Sequence, residues 1–130
     1  MPAAVSEHRE ADVVLDVEFV RGLLFLVLEN LGDGPAHTVR VRFDAPLTGL
    51  GGERRIDRLQ LFRRLEFLGP GRSIHVLLDR SALFFAREQE MAFEARVTWR
   101  SDEGRRRSRT VRHDLAAYSD FPYLEVPDDA

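Results

Sequence analysis

The chain has 130 residues, 44% hydrophobic and 32% charged, a balance that suits one domain with its own core and excludes a disordered or membrane-embedded class. It contains no Cys, which removes disulfides, thiolate metal sites and cysteine nucleophiles together. A formal net charge of -3 argues against wholesale attraction to nucleic acid or anionic lipid, although all 19 basic residues are Arg and none is Lys. We read the missing Lys first as codon usage in a GC-rich genome, since Arg also carries ordinary solvated faces.

Residues 1–11 are expected to be a polar N-terminal extension; no apolar stretch follows a basic start, so no export signal is read and a cytoplasmic setting is expected. From residue 12 the pattern has period two. Val13, Leu15, Val17 and Phe19 alternate with Asp16 and Glu18, the mark of a half-buried strand. Arg21-Gly22 makes a tight turn, and Leu23 to Leu28, apolar on both faces, is expected to be a central strand. In the corner that follows Asn30 and Gly32 can take the positive φ that other residues avoid, and Asp33-Gly34-Pro35 stops the strand. Beyond it Val39, Val41 and Phe43 face one way, and Thr38, Arg40, Arg42 and Asp44 the other.

Residues 45–55 carry Gly and Pro and read as a loop, while Ile56, Leu59, Phe62 and Leu65 repeat every three residues, as in a short helix; a strand stays open there. Gly69-Pro70-Gly71 is a turn, and Ile74, Val76 and Leu78 mark the returning strand. Residues 80–90 are expected to form a helical turn or loop with Ser81 as a possible cap. Met91, Phe93, Ala95, Val97 and Trp99 alternate with Glu94, Arg96, Thr98 and Arg100, and Trp99 is expected in the core. Ser101 to Gly104 is a hairpin loop, and the strand returning from Arg105 turns Val111, His113 and Leu115 inward. Residues 119–130 are expected to be an extended tail laid over the domain.

About seven strands at short spacing, with one or two helical turns, point to an all-β, immunoglobulin-like antiparallel β-sandwich over residues 12–118. The stretch Leu28-Glu29-Asn30-Leu31-Gly32, followed by Pro35-Ala36, Val39 and Val41, resembles the Asn-x-Gly corner of bacterial immunoglobulin-like domains, with CARDB-type adhesion-related domains the nearest group. The Gly69-Pro70-Gly71 turn before an apolar strand is similar to their second half. The resemblance implies a sandwich with a binding or spacer role, not a reaction.

Chemistry finds little footing. No Ser lies in a Gly-x-Ser-x-Gly elbow, and a Lys-dependent phosphate loop is impossible. His8, His37, His75 and His113 lack metal-ligand spacing. We therefore expect no catalytic residues, no metal and no cofactor; a hydrolase assembled only in three dimensions is the enzymatic alternative. Phe84-Phe85, two adjacent aromatics in a connection, form a candidate anchor for a partner if either is exposed.

The sandwich itself raises the main candidate. In an immunoglobulin-type fold the third strand and the last two share a sheet, so Arg40, Arg42, Arg96, Arg100, Arg106 and Arg112 are expected on one outward face, among Thr38, Thr98 and Thr110 and diluted by Asp44, Glu94 and Asp114. A solvated face laced with ion pairs is the plain reading. The functional one is a non-enzymatic protein–protein interaction or structural module that docks an acidic partner there; a carbohydrate- or small-ligand-binding sandwich is the alternative. Nucleic acid and membrane are not expected as partners.

Overall fold

Alternating apolar and polar residues give strands whose inner sides can only be buried by a second sheet, and the chain folds into that pair. The computed structural model describes residues 9–124. Strands β1 (Val13–Val20) and β2 (Leu23–Asn30) form a hairpin closed by Arg21 and Gly22, with φ of 51° and 77°. Positive φ at both loop positions is what a two-residue hairpin needs to match strand twist. β3 (Ala36–Phe43) follows the corner; β4 (Thr48–Gly49) and β5 (Arg54–Arg55) are a two-residue pair inside the expected loop. A 3₁₀ turn at Ile56–Arg58 and one helical turn at Gln60–Arg63 resolve the ambiguous segment as helical, and β6 (Leu65–Leu68) starts where that turn stops. Then come β7 (Ser73–Arg80), β8 (Ala92–Arg100) and β9 (Arg106–Asp114).

One sheet has the order β1-β2-β7 and the other β6-β3-β8-β9, all pairs antiparallel. The fold is an all-β, immunoglobulin-like sandwich of seven long or medium strands, with β6 beside β3 rather than beside β7. Between the sheets lie Leu15, Leu24, Leu26 and Leu28 from one side and Val39, Ala95, Val97 and Trp99 from the other. Phe62 caps one end, its ring 5.3 Å from that of Phe43. β2 is the central strand expected of Leu23–Leu28.

Several local expectations are corrected. Asn30 and Gly32 have no positive φ. Gly32 is needed because a Cβ there would lie 2.0 Å from the Glu10 carbonyl oxygen. Asn30 is fully buried and works as a four-way clamp: its amide donates to the Gly34 and Leu68 carbonyls at 2.9 and 3.1 Å, and its carbonyl accepts from the Asp12 and Gly32 amides at 3.0 Å each. Ser81 does not cap the helical turn Ser81–Phe85; it is buried, and Arg80 holds the cap position without a side-chain bond. Glu10 and Ala11 belong to the folded unit rather than to an extension, since the Glu10 carbonyl accepts from Asp33 and Gly34 and Ala11 is buried. Ser119–Leu124 is not extended: Phe121–Tyr123 is a 3₁₀ turn, and Phe121 stacks on Phe85 at 6.2 Å. Residues 125–130 of the expected tail, like His8, lie outside the described residues.

Polar groups pin the rest. Asp79, 1% exposed, pairs with Arg87 at 2.7 Å and accepts from the Gly51 amide at 3.2 Å, tying the β4–β5 loop to β7. Burial pushes the Asp57 carboxyl up, but hydrogen bonds from Arg55 and the Leu47 amide outweigh it and hold the group below the usual carboxylate range. Among the described residues no helix is long and apolar enough to cross a membrane.

Candidate functional site

Antiparallel register decides which side chains meet on the outward face of β3, β8 and β9. Arg42 lies opposite Arg96, which lies opposite Thr110; Arg40 lies opposite Thr98, which lies opposite Ser108; Arg100 lies opposite Arg106, and Glu94 opposite Arg112. The six arginines singled out from the sequence, Arg40, Arg42, Arg96, Arg100, Arg106 and Arg112, are therefore brought together on this sheet, and all are exposed. Two pairs of like charge face each other directly, at a Cβ separation of about 5 Å.

The face is concave. An open groove of about 480 Å³ is lined by Thr38, Arg40, Arg42, Arg96, Thr98, Trp99, Arg100, Arg106, Arg107 and Ser108. Six arginines line it, Arg107 with its guanidinium turned to Glu10, and among the described residues no carboxylate does. Of the six arginines singled out from the sequence Arg112, opposite Glu94 near the start of β8, is the one that stays outside the groove. The plain reading, a face laced with ion pairs, does not describe it: among the described residues none of Arg40, Arg42, Arg96, Arg106 or Arg112 enters an ion pair. Arg100 reaches only the Gly104 carbonyl, at 3.5 Å. The three diluting carboxylates are engaged or displaced: Asp44 accepts from the Glu94 amide and Asp114 from the Ala116 amide, while Glu94 lies outside the groove lining.

A bulge lies at one end of the groove. Thr38 has φ of 49°, and the β3–β8 register shifts between His37 and Arg40. Both Ala36 and Val39, three residues apart, are thereby buried, which breaks strict alternation. At that end His37 contacts Asp102 at 3.0 Å, and Phe67 packs edge-on against His37 with ring centres 5.4 Å apart while staying 56% exposed. Sequence reasoning missed Phe67 and Arg107. Phe67 gave no signal, because Glu66 and Phe67 are exposed side by side on β6, against strict alternation. Arg107 would be inward by alternation, but β9 is an edge strand and Arg107 reaches Glu10 at 3.2 Å.

Neither Phe84 nor Phe85 is exposed, so the condition set for a partner anchor there is not met. Phe84 is fully buried and Phe85 half-buried, edge-on to each other at 5.3 Å, with the Arg87 guanidinium 5.4 Å from the Phe84 ring centre. A helical turn buries what a strand could not. His113 donates from Nε2 to the Leu15 carbonyl at 2.8 Å, and with Arg107–Glu10 and Arg109–Asp12 it joins β9 to the free edge of β1. His75 meets Glu18 at 3.2 Å on the opposite sheet. Among the described residues no group of three or more His, Asp or Glu side chains is placed to hold a metal ion.

Residues 3–119 match a family model described as Domain of unknown function (DUF8453). Neither the curated proteins nor the solved structures contain a match.

Proposed function

The chain belongs to that family, and we propose that it is a non-enzymatic docking module whose arginine groove binds an acidic segment of another protein. The observation that carries this reading is the groove itself: five outward arginines, four of them in two directly opposed pairs, with no carboxylate among the described residues of the lining in a chain whose net charge is negative. Repulsion of this kind is costly to hold in the unbound state, and an anionic partner relieves it while the planar forks supply paired hydrogen bonds. Among the described residues the lining also has no His, Asp or Glu to act as a base, which favours binding over hydrolysis. The role accords with the binding function that the resemblance to CARDB-type domains implies.

The test uses a ten-residue polyglutamate peptide at low ionic strength, followed by the fluorescence of Trp99, the only Trp and part of the groove lining. The wild type should bind, and the double variant Arg42→Glu/Arg106→Glu should lose at least 90% of the signal. Equal binding by wild type and variant would sink the proposal. The carbohydrate or small-ligand alternative has one support, the exposed Phe67 beside His37 and Asp102, and a blank glycan array disposes of it.

A further inference from the structure

Accepting the docking role just proposed, we infer that the groove is built for dianionic groups and seats an extended peptide with phosphorylated side chains four residues apart. Arg42 with Arg96, and Arg100 with Arg106, are two units of charge +2 that no carboxylate among the described residues neutralises. A single carboxylate cancels half of such a pair. A phosphoryl group carries about -1.5 to -2 at neutral pH and presents three acceptor oxygens, enough to receive both guanidinium forks.

The spacing of the two pairs adds the second constraint. Arg96 and Arg100 are four residues apart on β8, about 13 Å at roughly 3.3 Å per residue. One pair straddles β3 and β8 and the other β8 and β9, so their midpoints are offset by one further strand spacing of about 4.8 Å. Together these set the midpoints about 14 Å apart. An extended chain repeats nearly that distance between residues i and i+4, whose side chains lie on the same side. Such a peptide crosses β8 at a shallow angle. Its residue i+2 then lies over Arg40, Thr98 and Ser108, where one cation and two hydroxyls take neutral or singly charged groups.

A nucleic-acid strand fits these facts less well. Each phosphodiester carries one charge, and Phe67 is the one strongly exposed aromatic at this face on which a base could stack.

Four probes separate the outcomes in a Trp99 fluorescence titration at fixed salt: a peptide with phosphoserine at i and i+4, its Glu/Glu counterpart, the same peptide with phosphoserine at i and i+1, and a ten-nucleotide single strand. The i, i+4 bisphosphopeptide should bind at least tenfold tighter than each of the other three. Arg42→Gln or Arg106→Gln, both at exposed positions, should each erase most of that advantage. Equal affinity for the Glu/Glu peptide overturns this inference and leaves the docking role standing. Equal affinity for the i, i+1 peptide overturns the two-site geometry, and an oligonucleotide that binds as well overturns the peptide. If neither the bisphosphopeptides nor the Glu/Glu peptide binds, both proposals fall.

Discussion

At the scale of single residues, Asn30 shows how one side chain substitutes for several turns. Its amide satisfies two carbonyls and two amides drawn from the segment before β1, the β2–β3 corner and the end of β6. Replacing it by Ala leaves these groups in a site with little access to water, at about 1–3 kcal/mol for each that stays unpaired. Asn30→Ala should therefore lower stability by about 3 kcal/mol or more, read as a drop of about 10 °C in Tm. A change below about 1 kcal/mol would mean that the corner holds itself. The sequence showed that the corner exists, through Gly, Asp and Pro. It did not show why Asn stands at position 30, because two of the four partners, Asp12 and Leu68, are distant in the chain.

At the scale of elements, the short β4–β5 pair has too few residues to hold its own shape. It is held from outside. Asp79 at the end of β7 bonds the Gly51 amide and Arg87, and Arg87 in turn reaches the Thr48 and Leu83 carbonyls at 3.4 and 3.1 Å. Because Asp79 is buried, removing its cation strands a charge in a poorly hydrated site. Arg87→Leu should cost about 3–5 kcal/mol, whereas the double change Asp79→Leu/Arg87→Leu should recover much of it. Chemical denaturation of the two variants checks this; equal losses would show that packing of the Arg87 stem, not charge, sets the cost. This buried pair was invisible from the chain, where Asp79 and Arg87 flank a segment that reads as a loop or a helical turn.

At the scale of the molecule, the arginine face sets docking against stability. Two opposed Arg pairs cost the folded state, since like charges at cross-strand positions destabilise by roughly what opposite charges gain, about 0.2–1 kcal/mol each way. Arg42→Glu and Arg106→Glu turn both pairs into opposite charges. The double variant that should lose binding is thus expected to melt higher than the wild type, by about 4 °C for about 1 kcal/mol in a domain of this size. A lower Tm would mean that these arginines already have stabilising partners. A surface kept at the expense of stability fits a site better than filler.

Period-two alternation was enough to specify the long strands and the side of each strand its arginines take, because side-chain direction in a strand is set by position along the chain; that six arginines share one sheet face followed only once the immunoglobulin-type topology was assumed. The positions of Val39, Val41, Phe93, Val97 and Trp99 in the core were legible for the same reason. Tertiary structure alone decided what depends on atoms distant in sequence. The Thr38 bulge broke the alternation of β3, the helical turn took Phe84 into the core, and β9's place at the edge turned Arg107 and Arg109 into ties to the segment before β1. Register also decided that arginine stands directly opposite arginine. Alternation names the face of a residue, but its partner across the sheet is set only when two strands have met.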